Sequence, residues 1–161
     1  MENKISLVPK YQICVDGRKD GNMTGRLYCG CLPEGKLFGG VEELLLMVDR
    51  VMDDIKFPQS TVDKRLFSKR NVEPKKFRKK DREVLLSMRK FDTEGQKGEK
   101  ATFILEVQFR QNASWQGNIR WVEKQETMHF RSALEMIKLM DSVTEAGGSQ
   151  AEKDTDESVG L

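Results

Sequence analysis

Cys29-Gly30-Cys31 sets two thiols on one face of any strand that carries them, the start of a metal site. Zinc takes about four ligands, and the chain adds only Cys14, of opposite strand parity, and one histidine, His129. The set is incomplete, so buried reduced cysteines acting as small apolar side chains are expected. His129 is the one candidate for general acid–base work, but Met128 and Phe130 place it on a strand leading to a helix cap. A nucleophile, a base and an orienting acid do not assemble at any motif spacing. No catalytic residue, metal or cofactor is expected.

Gly39-Gly40 precedes a helical run and resembles an anion-binding helix N-terminus only in outline; a tight turn into the helix is the favoured account. Asn22-Met23-Thr24 and Asn112-Ala113-Ser114 satisfy the glycosylation sequon. Both fall at expected hairpin tips, where Asn and Ser stabilise turns through their own backbone. The strongest chemical signal is charge. The net charge is +2, yet Lys64 to Lys90 carries twelve Lys or Arg against three acids, which is +9 and leaves −7 elsewhere. Lys75, Lys76, Arg78, Lys79, Lys80 and Arg82 form its densest part. Such a run neutralises phosphates and releases counterions without reading sequence. As a solvated linker, the same run would serve solubility instead.

Two strands and a turn carry the chain's two tryptophans, Trp115 and Trp121. Phe103, Leu105, Val107 and Phe109 alternate with Glu106, Gln108 and Arg110, the period of a half-buried strand. After turn chemistry at Asn112 to Ser114, Trp115, Gly117, Ile119 and Trp121 alternate with Gln116, Asn118 and Arg120. Parity puts both tryptophans toward the core. Thr127 to Phe130 adds a short third strand, and Ser132 with Glu135 forms a capping box before Ala133, Met136, Ile137 and Met140.

The first part of the chain lies over the second at a constant offset of 92 residues without gaps. Val15, Arg18, Gly25, Glu34, Phe38, Glu43, Asp49 and Val51 meet identical residues at 107, 110, 117, 126, 130, 135, 141 and 143. Each half is too small to bury enough apolar area alone. The expected fold is therefore α+β: tandem ββ(β)α repeats forming an antiparallel sheet, two helices (Val41 to Asp54 and Ala133 to Val143) on one face, and a pseudo-twofold between the halves. The expected divisions are a first half at 1–56, a basic inter-repeat segment at 57–100 with a short helix near Asp81 to Met88, a second half at 101–144, and a disordered acidic tail at 145–161.

The pattern Gln111, Asn112, Ser114, Trp115, Gln116, Gly117, followed by Phe130, Arg131, Ser132, Leu134 and Glu135, resembles small uncharacterised proteins of Firmicutes with a QN-S-WQG turn and an FRS-LE helix start. The resemblance implies a bacterial intracellular protein and carries no activity. The tandem strand-rich repeats, each ending in a helix, are similar in architecture to PUR-type single-stranded nucleic-acid binders, whose basic, aromatic strand pattern is not clearly met here.

The polar sheet face is expected to carry Arg18, Arg26, Arg110, Arg120 and Asn118, with Arg18 and Arg110 flanking a groove across the pseudo-twofold. Together with the basic segment, this predicts a non-enzymatic binding or regulatory protein. Its expected partner is single-stranded or non-specific nucleic acid, or an acidic protein. The alternative is a protein–protein adaptor or homodimeric module. An N-terminus without a long apolar run, and the lack of about 18 consecutive apolar residues anywhere, predict a cytoplasmic protein without a membrane partner.

Overall fold

The structure, a computed structural model, describes residues 8–58, 67, 83, 86, 88, 95–110 and 114–157, with side chains to residue 145 of the last helix. The alternating segments form six strands: β1 Tyr11–Lys19, β2 Asn22–Cys29, β3 Leu32–Phe38, β4 Ala101–Phe109, β5 Gln116–Trp121 and β6 Glu126–Phe130. They make one antiparallel sheet in the order β3-β2-β1-β4-β5-β6. Two three-stranded meanders thus meet at β1 and β4, with Tyr11 opposite Leu105 and Ile13 opposite Phe103. Asp20-Gly21 joins β1 to β2 with positive φ at both residues, the conformation a two-residue hairpin turn favours.

Helix α1 spans Val41–Ile55 and buries Leu44, Met47, Val48, Val51, Met52 and Ile55, a single stripe at helical spacing. Lys56 ends it in the left-handed region. Helix α2 spans Ala133–Glu157, and Ser132 Oγ accepts the Glu135 N–H at 3.1 Å at its start. This helix runs on to Glu157 through a proline-free stretch that includes Gly147 and Gly148. Leu44, Met52, Met136 and Met140 join Tyr11, Ile13, Leu27, Phe103, Leu105 and Ile119 in one core, so both helices lie on the odd-numbered face of the central strands. Each such side chain contributes roughly 1.5–3 kcal/mol on burial. Trp115 is buried and Trp121 packs at the core margin, as parity predicts. Of the expected short helix, Glu83, Leu86 and Met88 are helical; Met88 is buried and its sulfur accepts the Cys31 N–H at 3.1 Å.

One local feature overturns the expected polar face. The register slips by one residue between Val15 and Gly17 on β1, and again between Val107 and Phe109 on β4. Each slip is a β-bulge, and the extra residue reverses the parity of everything after it. Arg18 therefore stands opposite Met23 of the core and faces the helices. Phe109 moves the other way: opposite Gln116, it points to the face away from the helices. Two glycines admit the bulges. A Cβ on Gly25 would overlap the carbonyl of Cys14, and one on Gly117 the carbonyl of Glu106.

Candidate functional site

The nine cationic side chains expected to form one surface separate into three groups. Lys75, Lys76, Arg78, Lys79, Lys80 and Arg82 lie outside the described residues. Arg18 and Arg110 are on the helix side and engaged there. Arg18 is ion-paired with Asp141 of α2 and donates to Thr144 Oγ1 at 3.0 Å and to the Gly21 carbonyl at 3.0 Å. Arg110 is buried; its Nε donates to the Pro58 carbonyl at 2.6 Å and its Nη1 reaches Asp53 at 2.8 Å and Asp49 at 3.4 Å, both on α1. Neither arginine lines a groove on the open face, which corrects the expected placement. The cause is the bulge just ahead of each. A signal was present: Asp49 and Asp141 match at the same offset as Arg18 and Arg110, and oppositely charged matches point to ion pairs.

Of Arg18, Arg110 and Arg120, only Arg120 stays on the face where strand parity places it. It is exposed on β5 and has no ion pair among the described residues. Opposite residues share a face, so the register defines a row across five strands: Tyr28, Gln12, Ile104, Arg120 and Thr127. Beside it, Glu106, Asn118 and His129 form a second row, with Asn118 Oδ1 at 3.2 Å from His129 Nδ1. Phe109 and Gln116 lie beyond that. On β4 to β6 this face is accessible: Arg120 and His129 are exposed, Ile104, Glu106 and Asn118 are half-buried, and Phe109 is 49% exposed. An aromatic ring of that exposure with a guanidinium on the same sheet can stack planar groups and neutralise an anion.

On β1 and β2 the corresponding face is closed, whereas Leu37 of β3, opposite Arg26 on that face, is 73% exposed. Gln12 Nε2 donates to the Gln96 carbonyl at 2.5 Å, Arg26 donates to the Lys97 carbonyl at 2.9 Å, and Lys100 N–H donates to the Val15 carbonyl at 2.9 Å. Residues 96–100 therefore lie across it as a strap. Arg26 holds Asp16 through two hydrogen bonds of 2.9 and 3.1 Å and also lies over the Tyr28 ring, 5.6 Å from its centroid. Asp16 in turn accepts the Glu99 N–H at 3.1 Å. Hydrogen bonding to Arg26 holds the Asp16 carboxyl below the ordinary carboxylate range, against burial and with help from the Glu99 N–H. Gln12 and Cys14 are fully covered.

The remaining chemical candidates are quiet. Cys29 is buried in the core and Cys14 is buried on the opposite face; burial pushes both thiols up to about 11, so both are protonated at neutral pH. Cys31 is exposed. No group of three or more potential metal ligands occurs among the described residues. Before α1 the Glu43 carboxylate accepts the Gly39 N–H at 3.0 Å, which sets a negative charge of the helix itself at its N-terminus. Among the described residues no helix is long and apolar enough to cross a membrane.

No family model, curated protein or solved structure matches the chain.

Proposed function

We propose that the chain is a non-enzymatic binding protein that takes single-stranded nucleic acid on the β4–β6 face of the sheet, assisted by the basic segment at 64–90. The observation that carries this reading is the juxtaposition of half-exposed Phe109, exposed Arg120 and the hydrogen-bonding pair Asn118 and His129 on one accessible face. Bases stack on an exposed ring at about 1–3 kcal/mol each, with little regard to sequence. The segment of charge +9 supplies attraction to phosphate of the same sequence-independent kind.

The reading includes a tandem duplication with a pseudo-twofold between β1 and β4. Its support is register as well as sequence. Val15 opposite Gly25, and Gly25 opposite Phe38, are repeated 92 residues on by Val107 opposite Gly117 and Gly117 opposite Phe130. The bulges fall at the same offset, and the contacts of Arg18 with Asp141 and of Arg110 with Asp49 are one contact exchanged between halves. A second class, a homodimeric or adaptor module, is favoured by the edge strand β6, which pairs only with β5 among the described residues and whose residues Glu126 to His129 are exposed.

Titration of fluorescein-labelled single-stranded DNA and RNA at two salt concentrations tests the ligand class. Binding at low salt that weakens steeply with salt is expected. Replacing Lys75, Lys76, Lys79 and Lys80 by Gln should flatten the slope of log affinity against log salt by roughly 3, at about 0.7 per phosphate contact on a single strand. Absence of binding at low salt excludes this ligand.

A further inference from the structure

We infer that the chain forms a homodimer by antiparallel pairing of β6 with β6 of a second copy, extending the two sheets into one. The argument starts from the difference between the two sheet edges. An edge strand offers unpaired backbone N–H and C=O groups to any strand that approaches, and proteins blunt such edges with proline, charge and irregular backbone. The β3 edge carries those devices: Pro33, Glu34, Gly35 at positive φ, Lys36, and a register slip against β2 between Leu27 and Cys29. The β6 edge has no proline and pairs with β5 in unbroken register from Trp121–Glu126 to Gly117–Phe130.

The side chains beside the two edges differ in the same sense. On the helix side of β6, Met128 is 53% exposed and Leu134, in the first turn of α2, is 62% exposed. Residues 92 positions earlier are Lys36 and Glu42. At these two places on the helix side the β3 edge shows two charges and the β6 edge two exposed apolar side chains, which cost free energy while they stay in water; Leu37 of β3, 73% exposed, lies on the opposite face. No residue among 126–130 other than Phe130 is buried, so the strand gains little from its own fold beyond pairing with β5.

A second copy suits this edge through its symmetry. A twofold axis perpendicular to the sheet and passing by Met128 sets Met128 against the partner's Met128 and Thr127 against the partner's His129. Glu126 then stands opposite the partner's Phe130, next to the partner's Arg131. Arg131 is largely exposed, so the neighbouring charges are opposite in sign and no like charges face each other. Both Leu134 side chains lie on the same side of the joined sheet. One operation thus satisfies two edges and covers both apolar pairs. This inference is independent of the ligand proposed for the sheet face.

Light scattering on the full chain across micromolar concentrations, with the double variant Met128→Lys, Leu134→Glu alongside, is the test. These two positions are exposed, and the new residues are those standing at the equivalent places of the other edge, so circular dichroism should be unchanged. The wild type is expected at twice the chain mass of 18.5 kDa and the variant at 18.5 kDa. In a Cys31→Ser background, Met128→Cys should cross-link into a dimer under mild oxidation, and Lys36→Cys should not. A monomeric wild type overturns the proposal and leaves the edge to a strand of another protein. A dimer that survives the double variant, with no Met128→Cys cross-link, overturns it in favour of another surface.

Discussion

The faces of β1–β3 and β4–β6 turned away from the helices share a strand register and differ in what covers them. On the first, residues 96–100 lie across Gln12, Cys14 and Arg26, and the arginine is spent on Asp16, Tyr28 and the Lys97 carbonyl. On the second, Ile104, Asn118, Arg120 and Phe109 remain accessible. The positions that carry Asp16, Arg26 and Tyr28 on the first face carry Gln108, Asn118 and Arg120 on the second. One face therefore holds its charges in contacts with its own chain, whereas the other leaves a guanidinium without an ion pair among the described residues. Shared backbone geometry does not confer shared availability, and the accessible half is where a ligand is to be sought.

The largest effects should come from what the two halves have in common. Gly25→Ala and Gly117→Ala each drive a methyl group into a backbone carbonyl at a bulge. Each should lose about 3 kcal/mol in urea unfolding, and a harmless substitution at either glycine would break the equivalence of the bulges. The exchanged arginines should then separate the halves. Arg110→Met removes a buried guanidinium from Asp49, Asp53 and the Pro58 carbonyl and should cost about 3 kcal/mol. Arg18→Met, at a more exposed pair, should cost about 1 kcal/mol.

Smaller changes sharpen the contrast further. Tyr11 lies 92 positions before Phe103, and its buried hydroxyl has no hydrogen-bond partner among the described residues. Tyr11→Phe should leave stability unchanged or raise it by up to about 1 kcal/mol, since it removes an unsatisfied polar group. The smallest effect is that of pH on the strap. The folded Asp16 carboxyl titrates below its unfolded value, so its contribution is in place above about pH 4 and is lost as pH falls through the folded value. The backbone amide resonance of Glu99 should report this release. Gln108 stands in place of Asp16 on the second face, which has no counterpart to this step.

Strands β4 to β6, the capping box at Ser132 and the inward tryptophans were legible from period and turn chemistry, because each reflects local pattern, and the first-half strands followed from the offset of 92 residues. Gly117, matching Gly25 at the same offset, signals a bulge or close approach, but which residues are inserted, Asp16 and Gln108, was not legible. Each bulge inserts one residue without altering the apolar alternation before it, and parity continued past them assigned Arg18 and Arg110 to the wrong face. Phe109 was missed for the same reason, since its odd number groups it with buried Val107. The strap at 96–100 left no pattern either: its hydrogen bonds run mostly through backbone carbonyls and amides, which any sequence supplies.

The measurement closest to the central claim is the affinity of the labelled single strand for Phe109→Ala and Arg120→Glu, with Glu34→Lys on β3 as the control from the other half. The account predicts at least a tenfold loss for each of the first two, from about 1.4 kcal/mol or more of lost stacking or charge contact, and no loss for the control. Binding that is unchanged by both substitutions would place the ligand elsewhere and contradict the assignment of the β4–β6 face.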